Sequence, residues 1–167
     1  MNRALLRTLA SIGLLAFQGC AHDTSYGHAN QPREISFSIV TEAGARQFSG
    51  LDRPLRAIVR GQREWTDLWL RITAGAIPIQ DPPAVDFSEH IVVVAAMGTR
   101  PTGGHSIAIE RIVREGDDLI VEVVETEPGP MCIVTQALTS PVTAVIVERF
   151  PELTGHFIDR TSRLSCD

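Results

Sequence analysis

Three cysteines, five histidines and one glycine-rich octet hold most of the chemistry that this chain of 167 residues could perform. The histidines are His22, His28, His90, His105 and His156, and none of them falls into the HExxH pattern of a zinc-binding helix. Cys132 and Cys166 lie too far apart in sequence for the CxxC spacing of a thiolate zinc site. A cation set made of His90, His105 and Asp86 would have to be gathered across strand ends. The simpler reading of Asp86 is local: in Val85-Asp86-Phe87-Ser88 its carboxylate can cap a turn by accepting from the backbone two residues on. No GxSxG elbow is present to present a serine nucleophile. Thr102-Gly103-Gly104 lacks the lysine of a phosphate loop, and no helical pattern follows that would offer its N-terminus to an anion. The residues therefore predict no catalytic set, no metal, no cofactor and no small-molecule substrate.

The octet itself, Gly98-Thr99-Arg100-Pro101-Thr102-Gly103-Gly104-His105, invites a different question. It joins a continuous apolar run, Ile91 to Met97, to an alternating one that begins at Ser106. A two-residue turn would suffice to reverse the chain, so this much backbone specification has a purpose. Two are open. The loop can be a specified corner, with Gly103 and Gly104 at positive φ. It can also be a contact surface, in which Arg100 offers charge and donors while Pro101 and the glycines hold a fixed backbone that loses little entropy on binding.

The cysteines bear on compartment. Arg3 and Arg7 precede a short apolar stretch, Thr8 to Phe17, which ends at Gly19-Cys20. The stretch falls short of the roughly 20 residues needed to span a bilayer and has the form of an export signal. Leu15-Ala16-Phe17-Gln18-Gly19-Cys20 resembles a lipoprotein signal, in which Cys20 is lipidated and becomes the first mature residue. Cleavage after Ala21 is the alternative. Both readings export the protein. That leaves Cys132 and Cys166, an even number in a compartment that permits disulfides, and a bond between them would tie down the C-terminal residues. Net charge is −5, and with Arg3 and Arg7 set aside the remainder carries 13 arginines against 20 acids. An acidic domain with scattered arginines lacks the clustered basic face that nucleic acid requires.

The elements that position these residues follow from periodicity. Residues 1–20 are the signal and 21–33 a polar tether. Residues 34–150 form one domain, and 151–167 read as a C-terminal tail. Strands are expected at Ile35–Ile39, Leu55–Arg60, Ile91–Met97, His105–Val113, Leu119–Val124, Ile133–Val134 and Val142–Val147. Trp65, Leu68, Trp69 and Ile72 stand at i, i+3, i+4 and i+7, the stripe of an amphipathic helix near residues 62–74 that ends at Gly75. The fold class is mainly β (α+β): roughly seven strands, mostly antiparallel, as a sheet or sandwich with one helix.

Trp65-x-x-x-Trp69, Val85-Asp86-Phe87-Ser88, Gly98-x-Arg100-Pro101-Thr102-Gly103-Gly104-His105-Ser106-Ile107 and Leu138-Thr139-Ser140-Pro141 together resemble the PrcB C-terminal domain family over about residues 35–149. Members are small exported or lipid-anchored bacterial proteins, and the family takes its name from a subunit that associates with and stabilises a secreted protease. The resemblance implies a non-enzymatic protein-binding or stabilising role, with another protein, such as a protease, as partner and a lipid anchor to membrane. His105 departs from the aromatic residue that the family's pattern leads one to expect. A second likeness, of Arg100-Pro101-Thr102-Gly103-Gly104 to a loop of chagasin-type inhibitors, implies the alternative of a cysteine-protease inhibitor presenting loops from a β-sandwich.

Overall fold

The computed structural model describes residues 31–40, 47–78, 80–151 and 153–166. The signal, Cys20 and all but the last residues of the expected tether lie outside them. The elements are β1 (Arg33–Glu34), β2 (Phe37–Ile39), β3 (Leu55–Val59), α1 (Gln62–Ile72), β4 (His90–Ala96), β5 (Ser106–Glu115), β6 (Asp118–Pro128), β7 (Val142–Glu148) and β8 (Thr154–Leu164). They form two four-stranded sheets, ordered β1-β5-β6-β8 and β2-β7-β4-β3. All pairings are antiparallel except β6 with β8.

The apolar run that leads into the glycine-rich octet becomes the middle of the molecule. On β4, Ile91, Val93 and Ala95 face the first sheet, where they meet Ile107, Ile109, Ile112, Leu119, Val121 and Val123. Val92, Val94 and Ala96 face the other way, onto Trp65, Leu68, Trp69 and Ile72 of α1. A strand with no polar side needs a packed layer on each face. The layers are accordingly sheet, sheet, helix. Both indoles of α1 are fully buried, with their ring nitrogens donating to the carbonyls of Pro83 and Gln80 at 3.0 and 2.8 Å. Burying two such side chains contributes several kcal/mol, at roughly 25 cal/mol per Å² of apolar surface.

Three segments differ from expectation. The Ile35–Ile39 stretch is two strands in two sheets. Ile35 sits between them in the intersheet core, its amide bonded to the Ile112 carbonyl at 2.8 Å, so the chain crosses from one sheet to the other there. Ile133-Val134 is not a strand but part of the loop between β6 and β7. The residues expected as a C-terminal tail contain β8, eleven residues paired in parallel along β6. Its composition concealed it. β8 is an edge strand: Phe157 is half-buried against the core, Ile158 and Leu164 stand exposed, and most of the other residues are polar and face water, so no apolar alternation marks it.

In β5 the alternation breaks at Glu110. Ile109 pairs with Val123 but Arg111 pairs with Glu122, so Glu110 is a bulge. The extra residue returns Ile112 to the core after Ile107 and Ile109.

Candidate functional site

The octet leaves β4 and is drawn inward on both sides. Gly98 has φ 72°, and a Cβ there would lie 2.7 Å from the Arg53 carbonyl carbon. The amide of the next residue, Thr99, donates to the Asp52 carbonyl at 3.1 Å. Arg100 and Thr139 exchange backbone hydrogen bonds of 2.7 and 3.0 Å, and the Thr139 hydroxyl donates to the Thr102 carbonyl at 2.8 Å. The Gly103 amide donates to the Thr135 carbonyl at 2.9 Å. Gly104 has φ 81°, and a Cβ there would come within 2.7 Å of Val134 and 3.1 Å of Pro128. These positions explain the glycines: Gly98 passes too close to Arg53 and Pro54, and Gly103 and Gly104 too close to Pro128, Val134 and Thr135, for a side chain. Of the last two only Gly104 has the expected positive φ, and Gly103 is glycine for want of space.

Its polar side chains are turned to internal use as well. Arg100 Nη2 pairs with Glu125 Oε2 at 3.2 Å, and Glu125 Oε1 takes Arg56 Nη2 at 2.5 Å. Arg56 also reaches Asp159 at 2.8 Å and donates to the carbonyls of Leu55 and Ala96. This network joins β3, the octet, β6 and β8, and so pins one sheet to the other. The Arg56 and Glu125 side chains are only 16% and 18% exposed. Arg100 Nε and His105 Nδ1 are buried and make no hydrogen bond. Of the six residues singled out in the octet, Gly103 is buried, Arg100, Thr102 and His105 are half-buried, and only Pro101 and Gly104 are exposed.

What the octet holds in place is the β6–β7 loop, and that loop faces outward. Met131, Ile133 and Leu138 are 74%, 103% and 67% exposed. Their backbone is nevertheless secured. Cys132 is disulfide-bonded to Cys166, past the end of β8. The Gly129 amide bonds to the Leu164 carbonyl at 3.0 Å, and the Cys132 amide to the Gly129 carbonyl at 3.1 Å. Thr135 and Thr139 hold the other half against the octet. Beneath Met131 a hollow of about 340 Å³ opens between Gly129-Pro130 and Arg163–Cys166. Periodicity missed this loop because Ile133-Val134 has strand composition. The available signal was the apolar pair flanking a cysteine directly after Gly129-Pro130.

The residues weighed for chemistry do not converge. Among the described residues no group of three or more His, Cys, Asp or Glu side chains is placed to hold a metal ion. Asp86 is a turn cap: its carboxylate accepts from the Ser88 hydroxyl at 2.6 Å and the Ser88 amide at 2.9 Å. Those two bonds, hydroxyl first, hold its pKa below the ordinary carboxylate value, with a smaller attraction from His90.

The chain is thus a two-sheet β domain with a helix over one outer face and an apolar loop displayed at one end. Residues 91–148 match the family described as PrcB C-terminal. The match runs from β4 through the octet, the β5–β6 hairpin and the exposed loop to the last residue of β7, and covers 58 of 167 residues. No curated protein and no solved structure matches the chain.

Proposed function

We propose that this protein is an exported, non-enzymatic binding and stabilising domain, anchored by lipid on Cys20 and accessory to a secreted or membrane-associated protease. One observation carries the reading: Met131, Ile133 and Leu138 stand in solvent on a backbone that a disulfide and the octet hold still. Exposed apolar side chains are costly to solubility and common at protein interfaces. A backbone already ordered spares the partner complex the entropy of ordering it. The PrcB C-terminal match includes the exposed loop and the octet that holds one half of it, while Leu164 and Cys166, which hold the other half, lie beyond it. The association with a protease that the resemblance implies supplies the partner class. The half-buried glycine-rich octet acts in this surface chiefly as its foundation, with Pro101 and Gly104 at its margin.

The test is photo-crosslinking in the native host from a probe at residue 133, with a probe at the exposed Arg160 as control. Capture of an extracytoplasmic protease from 133 alone supports the reading. Equal capture from both positions, or capture of no protein from 133, refutes it. The anchor is tested separately: blocking lipoprotein signal processing should leave an uncleaved precursor, and normal maturation would remove Cys20 from the proposal.

A further inference from the structure

We infer that the groove between β3 and α1 is a second recognition surface, fitted to an extended segment of a partner protein that adds to the sheet beside β3. Among the described residues β3 pairs only with β4, and it stands at the end of its sheet. An edge strand directs half of its backbone donors and acceptors away from its neighbour, a template for another strand. Here the template is walled. A groove of about 580 Å³ runs beside it, with Leu55, Ala57 and Leu68 as its apolar floor and Arg63, Asp67 and Arg71 along its helical rim. No residue of the exposed β6–β7 loop belongs to it.

The rim specifies the occupant. Arg63, Asp67 and Arg71 follow one another at four-residue steps on α1, about 6 Å apart along the axis. An extended chain repeats its side chains on one face every two residues, roughly 6.6 Å. A strand lying in the groove therefore brings every second side chain level with one rim charge. The complementary order is acidic–x–basic–x–acidic, with the aliphatic stems crossing the floor. The order plus, minus, plus reads the same from either end, so both strand directions are served. None of the three rim charges makes an ion pair among the described residues, even with one another. The fourth charged residue, Glu64, is turned to the Arg60 amide at 3.2 Å and is not free in the same way.

Two labelled seven-residue peptides test this with the whole mature protein. Both carry valine and threonine at odd positions; one has Glu, Lys, Glu at positions 2, 4 and 6, the other Lys, Glu, Lys. The first should bind about tenfold tighter by fluorescence anisotropy, the scale of a few exposed ion pairs formed where the second peptide meets like charge. It should also slow amide hydrogen exchange at Leu55–Val59. The charge-reversed variant Arg63→Glu/Asp67→Arg/Arg71→Glu, altered only on the exposed flank of the helix, should invert the preference. Ala57→Trp should block both peptides. Equal affinity for the two peptides, no binding of either, or protection confined to residues outside β3 overturns the proposal. Ile133→Glu serves as the separating control, since it should abolish capture at the β6–β7 loop and leave the peptide preference unchanged.

Discussion

Two loops at the same end of the sandwich, Gly98–His105 and Gly129–Leu138, divide support and display between them. The first has the more conspicuous sequence and the less exposed structure. Its glycines, its arginine and three of its amides are taken up by contacts with Asp52, Arg53, Pro128, Val134, Thr135, Thr139 and Glu125. The second has an unremarked sequence and carries three apolar side chains in solvent. Backbone specification and surface chemistry have been separated: one loop is shaped so that the other can be held. Substitutions in the first should thus cost stability, and substitutions at the tips of the second should cost binding.

The largest expected effect is Gly104→Val. A β-branched residue at φ 81° is strained, and its Cβ would press on Val134 and Pro128. Strain and overpacking together should destabilise the fold by about 4 kcal/mol. Chemical denaturation at equilibrium measures it. A loss below about 1 kcal/mol would mean that the octet is looser than its contacts describe.

The double variant Cys132→Ser/Cys166→Ser comes next. Its cysteines are 34 residues apart, and opening such a loop costs roughly 3–4 kcal/mol in the chain-entropy model. The informative readout is local. Amide exchange should rise at residues 129–134 and at the end of β8, while β4 stays protected. A uniform rise across the protein would show that the bond steadies the whole domain and not the displayed loop in particular.

Glu125→Leu tests the octet's tie to the opposite sheet. It leaves Arg56 and Arg100 half-buried without their shared carboxylate, although Arg56 keeps Asp159. The expected loss is about 2 kcal/mol, less than for a fully buried pair because each group retains some water. Adding Arg100→Met to this variant should recover part of the loss by removing one stranded charge; no recovery would place the cost in packing instead.

A smaller effect is expected at Asp86. Its folded pKa is lowered by the Ser88 bonds, so its contribution is present above the ordinary carboxylate value and is lost as pH falls through the lowered one. The melting temperature of Asp86→Ala should lie slightly below that of the native protein at about pH 7, and the two should converge in acid as pH falls through the lowered value. A gap that persists in acid would mean that the turn depends on the side chain's shape and not on its charge.

The relation between the two loops was only half legible in the sequence. Period decided the frame: the i, i+3, i+4, i+7 stripe of α1 and the unbroken run of β4 each announce a buried face, and both are buried as expected. The Asp86 turn and the Cys132–Cys166 bond were legible too, because a cap and an even cysteine count are local or arithmetic signals. β8 was not, since an edge strand that faces water has no apolar alternation to read. The displayed loop was misread for the opposite reason: Ile133-Val134 looks like a strand, and only the neighbours that compete for its backbone, Gly103 through Thr135 and Cys166 through Cys132, keep it from becoming one.

The last and smallest effect on stability is the sharpest test of the division. Ile133 is wholly exposed, so Ile133→Ser removes no buried contact and should change unfolding free energy by less than about 0.5 kcal/mol. If the side chain serves only the fold, nothing else should change. If the loop is the contact surface, capture of the partner by crosslinking from the neighbouring Met131 position should fall sharply at unchanged melting temperature. The combination with Leu138→Ser extends this. Because the two residues lie on one backbone fixed at Cys132, Thr135 and Thr139, their losses in binding should reinforce each other, while their effects on stability remain near zero. A double variant that binds normally would return the surface to Pro101 and Gly104 at the margin of the octet, and with it the distinction between the loop that supports and the loop that meets the partner.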